Sequence, residues 1–140
     1  MSPHIEKRLL QAALALPCLS PFWFGLKGMI EGPVMLAGVE PGQSAGDLVS
    51  HYRYLSGLFF GLGLVLLSCL PRIEARGRRL RWAAGAIVLG GLARLGGLAM
   101  GDAPSAAHQI ALGAELGLTP LLVLWQARVA HRLALDTVHG

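Results

Sequence analysis

Three charged residues, Arg53, Arg94 and Glu115, lie inside stretches of this chain that are otherwise apolar enough to cross a membrane. A charge at the centre of a transmembrane helix costs about 2.5 to 3.5 kcal/mol on insertion scales, so such residues turn inward and find a partner. Arginine presents a planar fork of N–H donors that suits a carboxylate, a phosphate or a quinone-like carbonyl. Two arginines against one carboxylate leave a positive charge in excess, which an anionic or strongly hydrogen-bond-accepting group would complete. The plainer alternative is an Arg94–Glu115 ion pair locking two helices together, with Arg53 snorkelling to the outer headgroups. Asp47 and Asp102 are the acids placed to fold inward and neutralise the excess, and Thr119 shares a helical face with Glu115. The candidate ligand-binding residues are therefore Arg53, Arg94, Glu115, Asp102 and Thr119. Acid–base chemistry generally needs two positioned players, and only one carboxylate lies in the spans, so no catalytic residue is assigned. No nucleophile triad, zinc-ligand cluster or phosphate-cradling glycine loop is legible, and no cofactor or metal is implied.

The elements that must position these side chains follow from composition. With 140 residues, 54% hydrophobic and 14% charged, and a mean hydropathy of +0.55, the chain is too apolar for an ordinary soluble domain. About 20 helical residues cross a hydrocarbon core of about 30 Å. Four stretches qualify: 9–30, 50–70, 82–100 and 108–127, in a single domain over 1–140. The first begins like a signal peptide, with Lys7 and Arg8 before an apolar run. It continues through Pro21-Phe22-Trp23-Phe24 to Ile30, longer than a signal segment, and reads as a retained helix bent near Pro17 and Pro21. Ser44 with Asp47 three residues later fits a capping box, starting the second helix near Ala45.

Polar loops give the orientation. Residues 31–49 carry Glu31, Glu40 and Asp47 and no Lys or Arg, whereas 71–81 carry Arg72, Arg76, Arg78, Arg79 and Arg81 against Glu74. Of the 12 Lys and Arg, nine fall on one side: Lys7, Arg8, those five, Arg128 and Arg132. The positive-inside rule then predicts both termini cytoplasmic, with 31–49 and 101–107 as outer loops. The same rule accounts for the pI near 9.7, so the arginine run is not read as a nucleic-acid patch and no nucleic acid is expected as a partner. At 1.5 Å per residue, Arg53, Arg94 and Glu115 lie about 5, 9 and 10 Å below the outer ends of their spans. All three are in the outer half.

Helical periodicity puts each charge on a face with small residues. Arg53, Gly57 and Gly61 recur every four residues; Ala86, Gly90, Arg94, Gly97 and Gly101 form a second stripe; His108, Glu115, Thr119 and Gln126 form a third. Glycines on these stripes predict close helix approach in the small-xxx-small manner, within the chain or with a partner helix. Trp23, Tyr52, Tyr54, Trp82 and Trp125 fall near span ends and read as an aromatic belt. His51 and His108 at outer helix ends are a weak haem signal and a stronger interfacial one. Cys18 and Cys69 fall at different depths, which argues against a disulfide.

Tyr52-Arg53-Tyr54-Leu55-Ser56-Gly57, Gly91-Leu92-Ala93-Arg94-Leu95, the turn Gly101-Asp102-Ala103-Pro104, and Glu115 together resemble the small bacterial four-helix membrane family catalogued as domain of unknown function 4345, over roughly residues 45–128. That family has an arginine before a small-residue pair in helix two, a Gly-Arg or near equivalent in helix three, a Gly–acid–x–Pro turn and a glutamate in helix four. Arg53, Arg94, Asp102 and Glu115 stand at those places, while Leu55-Ser56-Gly57 replaces the usual Gly-Gly pair and Ala93 precedes Arg94. The resemblance implies a bacterial inner-membrane four-helix bundle and implies no reaction. A broader likeness to DoxX-type proteins rests on architecture alone.

The expected fold is an all-α membrane protein, an antiparallel four-helix transmembrane bundle. Three classes of function fit: a non-enzymatic binding or accessory protein holding a membrane lipid, an anionic or quinone-like molecule or a partner helix; a membrane enzyme at the outer leaflet with Glu115 as its acid or base; and a small transporter subunit using the charges as a relay. The first needs the fewest catalytic groups.

Overall fold

The computed structural model describes residues 2–36, 38–42 and 45–139. Ser44 of the expected capping box lies outside the described residues. Helix α1 spans Pro3–Glu31, α2 Gly46–Cys69, α3 Gly77–Ala99, α4 Ala106–Gly113 and α5 Thr119–His139. A π-helical turn, Ala114–Leu118, joins α4 to α5 without a break. Among the described residues, four stretches are long and apolar enough to cross a membrane: Pro3–Met35, Gly46–Arg72, Gly77–Ala99 and Ala106–Asp136. Large apolar side chains such as Leu16, Leu89, Ile110 and Leu124 stay exposed along these helices, as lipid-facing residues do.

Sequence chemistry explains most of the ends. Gly32 adopts φ +70° directly after α1, a left-handed position that glycine takes without strain, and Pro33 blocks any continuation. Pro71 sits in the short 3₁₀ turn Leu70–Arg72 that closes α2. Gly101, at φ +103°, turns the chain after α3. Within α1, Pro17 and Pro21 each remove one i→i−4 hydrogen bond, at the carbonyls of Ala13 and Pro17, yet the helix continues through both.

Two helices overrun their apolar stretches. Helix α1 begins at Pro3 rather than near Leu9, and α5 runs to His139 rather than stopping near Ala127. Hydropathy marks the length that crosses hydrocarbon, and the polar turns beyond it are helical for a different reason: their charges pair with each other.

The chain divides into two compact units, residues 14–68 and residues 1–13 with 69–140. In the first, α1 and α2 meet through Phe22 and Phe60, with ring centroids 4.8 Å apart. Backbones approach closely there, since a methyl on Gly25 would lie 2.7 Å from the Phe60 nitrogen and one on Gly63 3.2 Å from the Phe22 nitrogen. In the second, Leu10, Ile73, Leu80, Leu122 and Val129 form the apolar core, and the Gln11 amide donates to the Leu70 carbonyl at 2.6 Å. Gly91 of α3 packs against Glu115 and Leu116, and Gly77 against Gln126.

This packing corrects the expected stripes. A side chain at Gly61 or Gly90 would meet nothing within 4 Å among the described residues, and the same holds for Gly113 and Gly117. The glycine that packs beside Arg94 is Gly91, three residues before it, rather than Gly90, four before. Spacings of three and four are both neighbours on a helix, so the sequence alone did not choose between them.

Candidate ion-pair site

Arg94 and Glu115 face each other from α3 and the π turn. Arg94 Nε donates to Glu115 Oε2 at 3.2 Å and Nη2 donates to Oε1 at 3.1 Å. This is the two-pronged fork that arginine makes with a carboxylate, the strongest form of the pair. The side chains are 31% and 19% exposed, and Gly91 leaves room for the Glu115 Cβ and the Leu116 side chain. In hydrocarbon the uncovered part has no water to lean on, so each charge depends on the other.

The π turn has a local cause. Pro120 has no N–H and its ring would collide with the Leu116 carbonyl in a regular α-helix. Widening the turn relieves this: the Thr119 N–H reaches the Ala114 carbonyl, five residues back, and the Thr119 hydroxyl donates to the same carbonyl at 3.0 Å. Thr119 thus supports the backbone that carries Glu115. Turns of this kind occur often at functional sites. The Thr119-Pro120 pair was the sequence signal for it, and hydropathy reading passes over it because both residues are compatible with an apolar span.

Arg53 has different company. Its Nη1 donates to the carbonyls of Met29 and Ile30, the second at 2.8 Å, and its guanidinium lies over Gly32, whose absent side chain leaves the room. Arginine there satisfies carbonyls that α1 leaves open at its C-terminal end and complements the negative end of the helix dipole. Headgroup snorkelling is therefore not needed to explain Arg53. Asp102 lies in the turn after α3 with its carboxylate over Gly97 and its N–H bonded to the Gly97 carbonyl at 3.0 Å. His108 accepts or donates at 2.9 Å with the Ser105 hydroxyl at the start of α4.

A second charged cluster escaped the sequence reading. Glu6, only 3% exposed, receives Arg132 Nη1 at 2.6 Å, Arg128 Nε at 3.2 Å and Trp125 Nε1 at 3.3 Å. Trp125 is thus a hydrogen-bond donor to a buried acid, not simply a belt residue. Beside it Lys7 Nζ donates to Glu74 Oε1 at 2.9 Å. Burial pushes the Glu74 carboxyl up, but the Lys7 hydrogen bond, one from the Glu74 backbone, and the charges of Lys7 and Arg72 outweigh it and hold Glu74 below the usual carboxylate range. Partners more than 60 residues away in sequence leave no local trace.

A family model described as Domain of unknown function (DUF4345) matches residues 9–126. The chain belongs to the DUF4345 family. The match takes in Arg53, Arg94, Asp102, Glu115 and Thr119, and stops short of Arg128 and Arg132 and begins after Glu6 and Lys7. The cluster around Glu6 therefore draws on residues at both margins of the DUF4345 region. Neither the curated proteins nor the solved structures gave a match.

Proposed function

We propose that this DUF4345 protein is a non-enzymatic binding or accessory protein of the bacterial inner membrane, with Arg94 and Glu115 forming a receptor for a lipid-like or quinone-like molecule in the outer half of an antiparallel four-helix bundle. The reading is carried by the bidentate Arg94–Glu115 contact at the π turn. Arg94 uses two of its five N–H donors on Glu115, and the rest can address an acceptor. The pair is neutral as a unit, and Arg53 is engaged by the carbonyls of Met29 and Ile30. A neutral carbonyl acceptor fits that balance better than an anion, which would restore an uncompensated charge in hydrocarbon. The reversed order of contacts, Gly91 with Glu115 and Gly77 with Gln126, supports opposed directions for α3 and α5. The arginine-rich 71–81 loop supports termini on the cytoplasmic side.

The test is native mass spectrometry with lipid extraction on protein purified in mild detergent. Wild type and Glu115→Gln should carry a small carbonyl-bearing molecule, because Arg94 and the shape persist. Arg94→Lys should lose it while keeping the ion pair, since lysine lacks the fork. Equal occupancy in Arg94→Lys, or an empty wild-type protein, would refute the reading.

A further inference from the structure

The partners of the basic residues separate them into two groups. Lys7 is held by Glu74, Lys27 by Glu31 at 3.7 Å, Arg94 by Glu115, Arg128 and Arg132 by Glu6, and Arg53 by two backbone carbonyls. Arg72 acts on Glu74, the one acid of the 71–81 loop, which Lys7 already engages. Among the described residues the side chains of Arg8, Arg76, Arg78 and Arg81 make no hydrogen bond or ion pair. Three of these four stand at the start of one helix, α3.

That placement runs against helix electrostatics. The first turn of α3 contains no acid, and Arg76 at its N-cap provides no side-chain cap. Cations at the positive end of a helix are unfavourable on their own. Arg81 moreover folds back along α3, so that its Nη1 would lie 3.2 Å from a methyl on Gly77. Below the arginines the same face turns apolar: Arg78, Arg81, Trp82, Gly85 and Leu89 share one arc of about 100°. Trp82 is 79% exposed and Leu89 67%, and nothing among the described residues lies within 4 Å of where a Gly85 side chain would be. A cationic head, an interfacial tryptophan and a shallow apolar channel thus follow one another down a helix that is apolar enough to cross a membrane.

We infer that this face of α3 binds an anionic phospholipid, with its phosphate on Arg78 and Arg81 and an acyl chain along Trp82, Gly85 and Leu89. Charge complementarity selects the headgroup, and the glycine gap beside two exposed apolar side chains seats the chain. Trp82 lies where the interface is expected. This surface is independent of the Arg94–Glu115 pair and stands or falls separately.

The experiment uses the full chain in nanodiscs of phosphatidylcholine with and without phosphatidylglycerol, read by native mass spectrometry of retained lipid and by the shift in thermal unfolding. Wild type should retain phosphatidylglycerol over phosphatidylcholine. The Arg78→Gln/Arg81→Gln double variant should bind it about 30-fold more weakly, at about fivefold per arginine. Both positions are solvent-exposed, so unfolding in phosphatidylcholine alone should match wild type and serves as the folding control. Gly85→Leu should fill the channel and reduce retention with the arginines intact. Equal retention of the two lipids, or a double variant indistinguishable from wild type, would overturn the site. Competition by glycerol 3-phosphate as effective as the intact lipid would overturn the acyl channel and leave only a phosphate contact, contrary to the inference.

Discussion

Removing Arg94 tests both the pair and its surroundings. Among the described residues, Glu115 accepts hydrogen bonds from Arg94 alone, at 3.1 and 3.2 Å, so Arg94→Ala leaves a bare carboxylate inside a candidate span. If the surroundings are hydrocarbon, the loss should be about 3 to 5 kcal/mol, the usual result of orphaning one partner of a buried pair. If water reaches the uncovered parts of the side chains, the same substitution should change stability by only about 0.2 to 1 kcal/mol. The two expectations differ enough to be told apart. Equilibrium unfolding in bicelles or nanodiscs of wild type, Arg94→Ala, Glu115→Leu and the double variant gives the coupling directly. We expect the double variant to recover much of the single variant's loss, because it removes the charge that had become orphaned. A double variant no more stable than Arg94→Ala, or a coupling under about 1 kcal/mol, would refute the placement of a mutually dependent pair in lipid.

Other consequences follow from particular contacts. Gly25→Ala should destabilise by about 1 to 3 kcal/mol, because the new methyl strikes the Phe60 backbone, which cannot move aside cheaply. Gly90→Ala, in open space on α3, should instead stabilise by about 0.5 to 1 kcal/mol, and chemical denaturation in one detergent compares the two. Glu74 has a folded-state pKa held below its unfolded value, so its stabilisation is present above the unfolded pKa and disappears as pH falls through the folded one. Unfolding measured from about pH 6 downward should therefore lose stability more steeply in wild type than in Glu74→Gln. Thr119→Val should cost about 1 kcal/mol by removing the hydroxyl that shares the Ala114 carbonyl, read by the same unfolding assay.

What could be read in advance depended on the range of the interaction. The four spans were legible because the hydrocarbon requirement acts on each stretch separately, and Leu9, Ile30, Leu70 or Trp82 announces it without reference to any other residue. Arg94 and Glu115 stood out for the same reason: a charge in an apolar run is conspicuous by itself. Their partnership was the simplest way to satisfy both. Arg53 showed how that logic can overreach, since its partners are main-chain carbonyls, which every residue carries and no composition reveals. Glu6 showed the opposite failure. Outside the apolar stretches a charge looks ordinary, so an acid buried under two arginines and a tryptophan from α5 was invisible until the helices were placed.

The π turn links these cases. Its residues, Ala114 to Leu118, are ordinary in hydropathy, and its cause, Pro120, lies just beyond it. If Pro120 sets the wide turn, then Pro120→Ala should let the helix return to regular α geometry, and one residue's worth of rotation, about 100°, must then be taken up between Glu115 and α5. Gln126 would suffer from that rotation as much as Glu115, for its amide donates to the Ile73 carbonyl at 2.9 Å while only 1% exposed. The alanine should raise local helix propensity and yet weaken the fold, by breaking register with Arg94 at one end or Ile73 at the other. Cysteine cross-linking between α3 and α5, compared between the wild-type background and Pro120→Ala, reads that register. An unchanged cross-linking pattern would show that the turn is held by Thr119 and packing, and that Pro120 merely tolerates it.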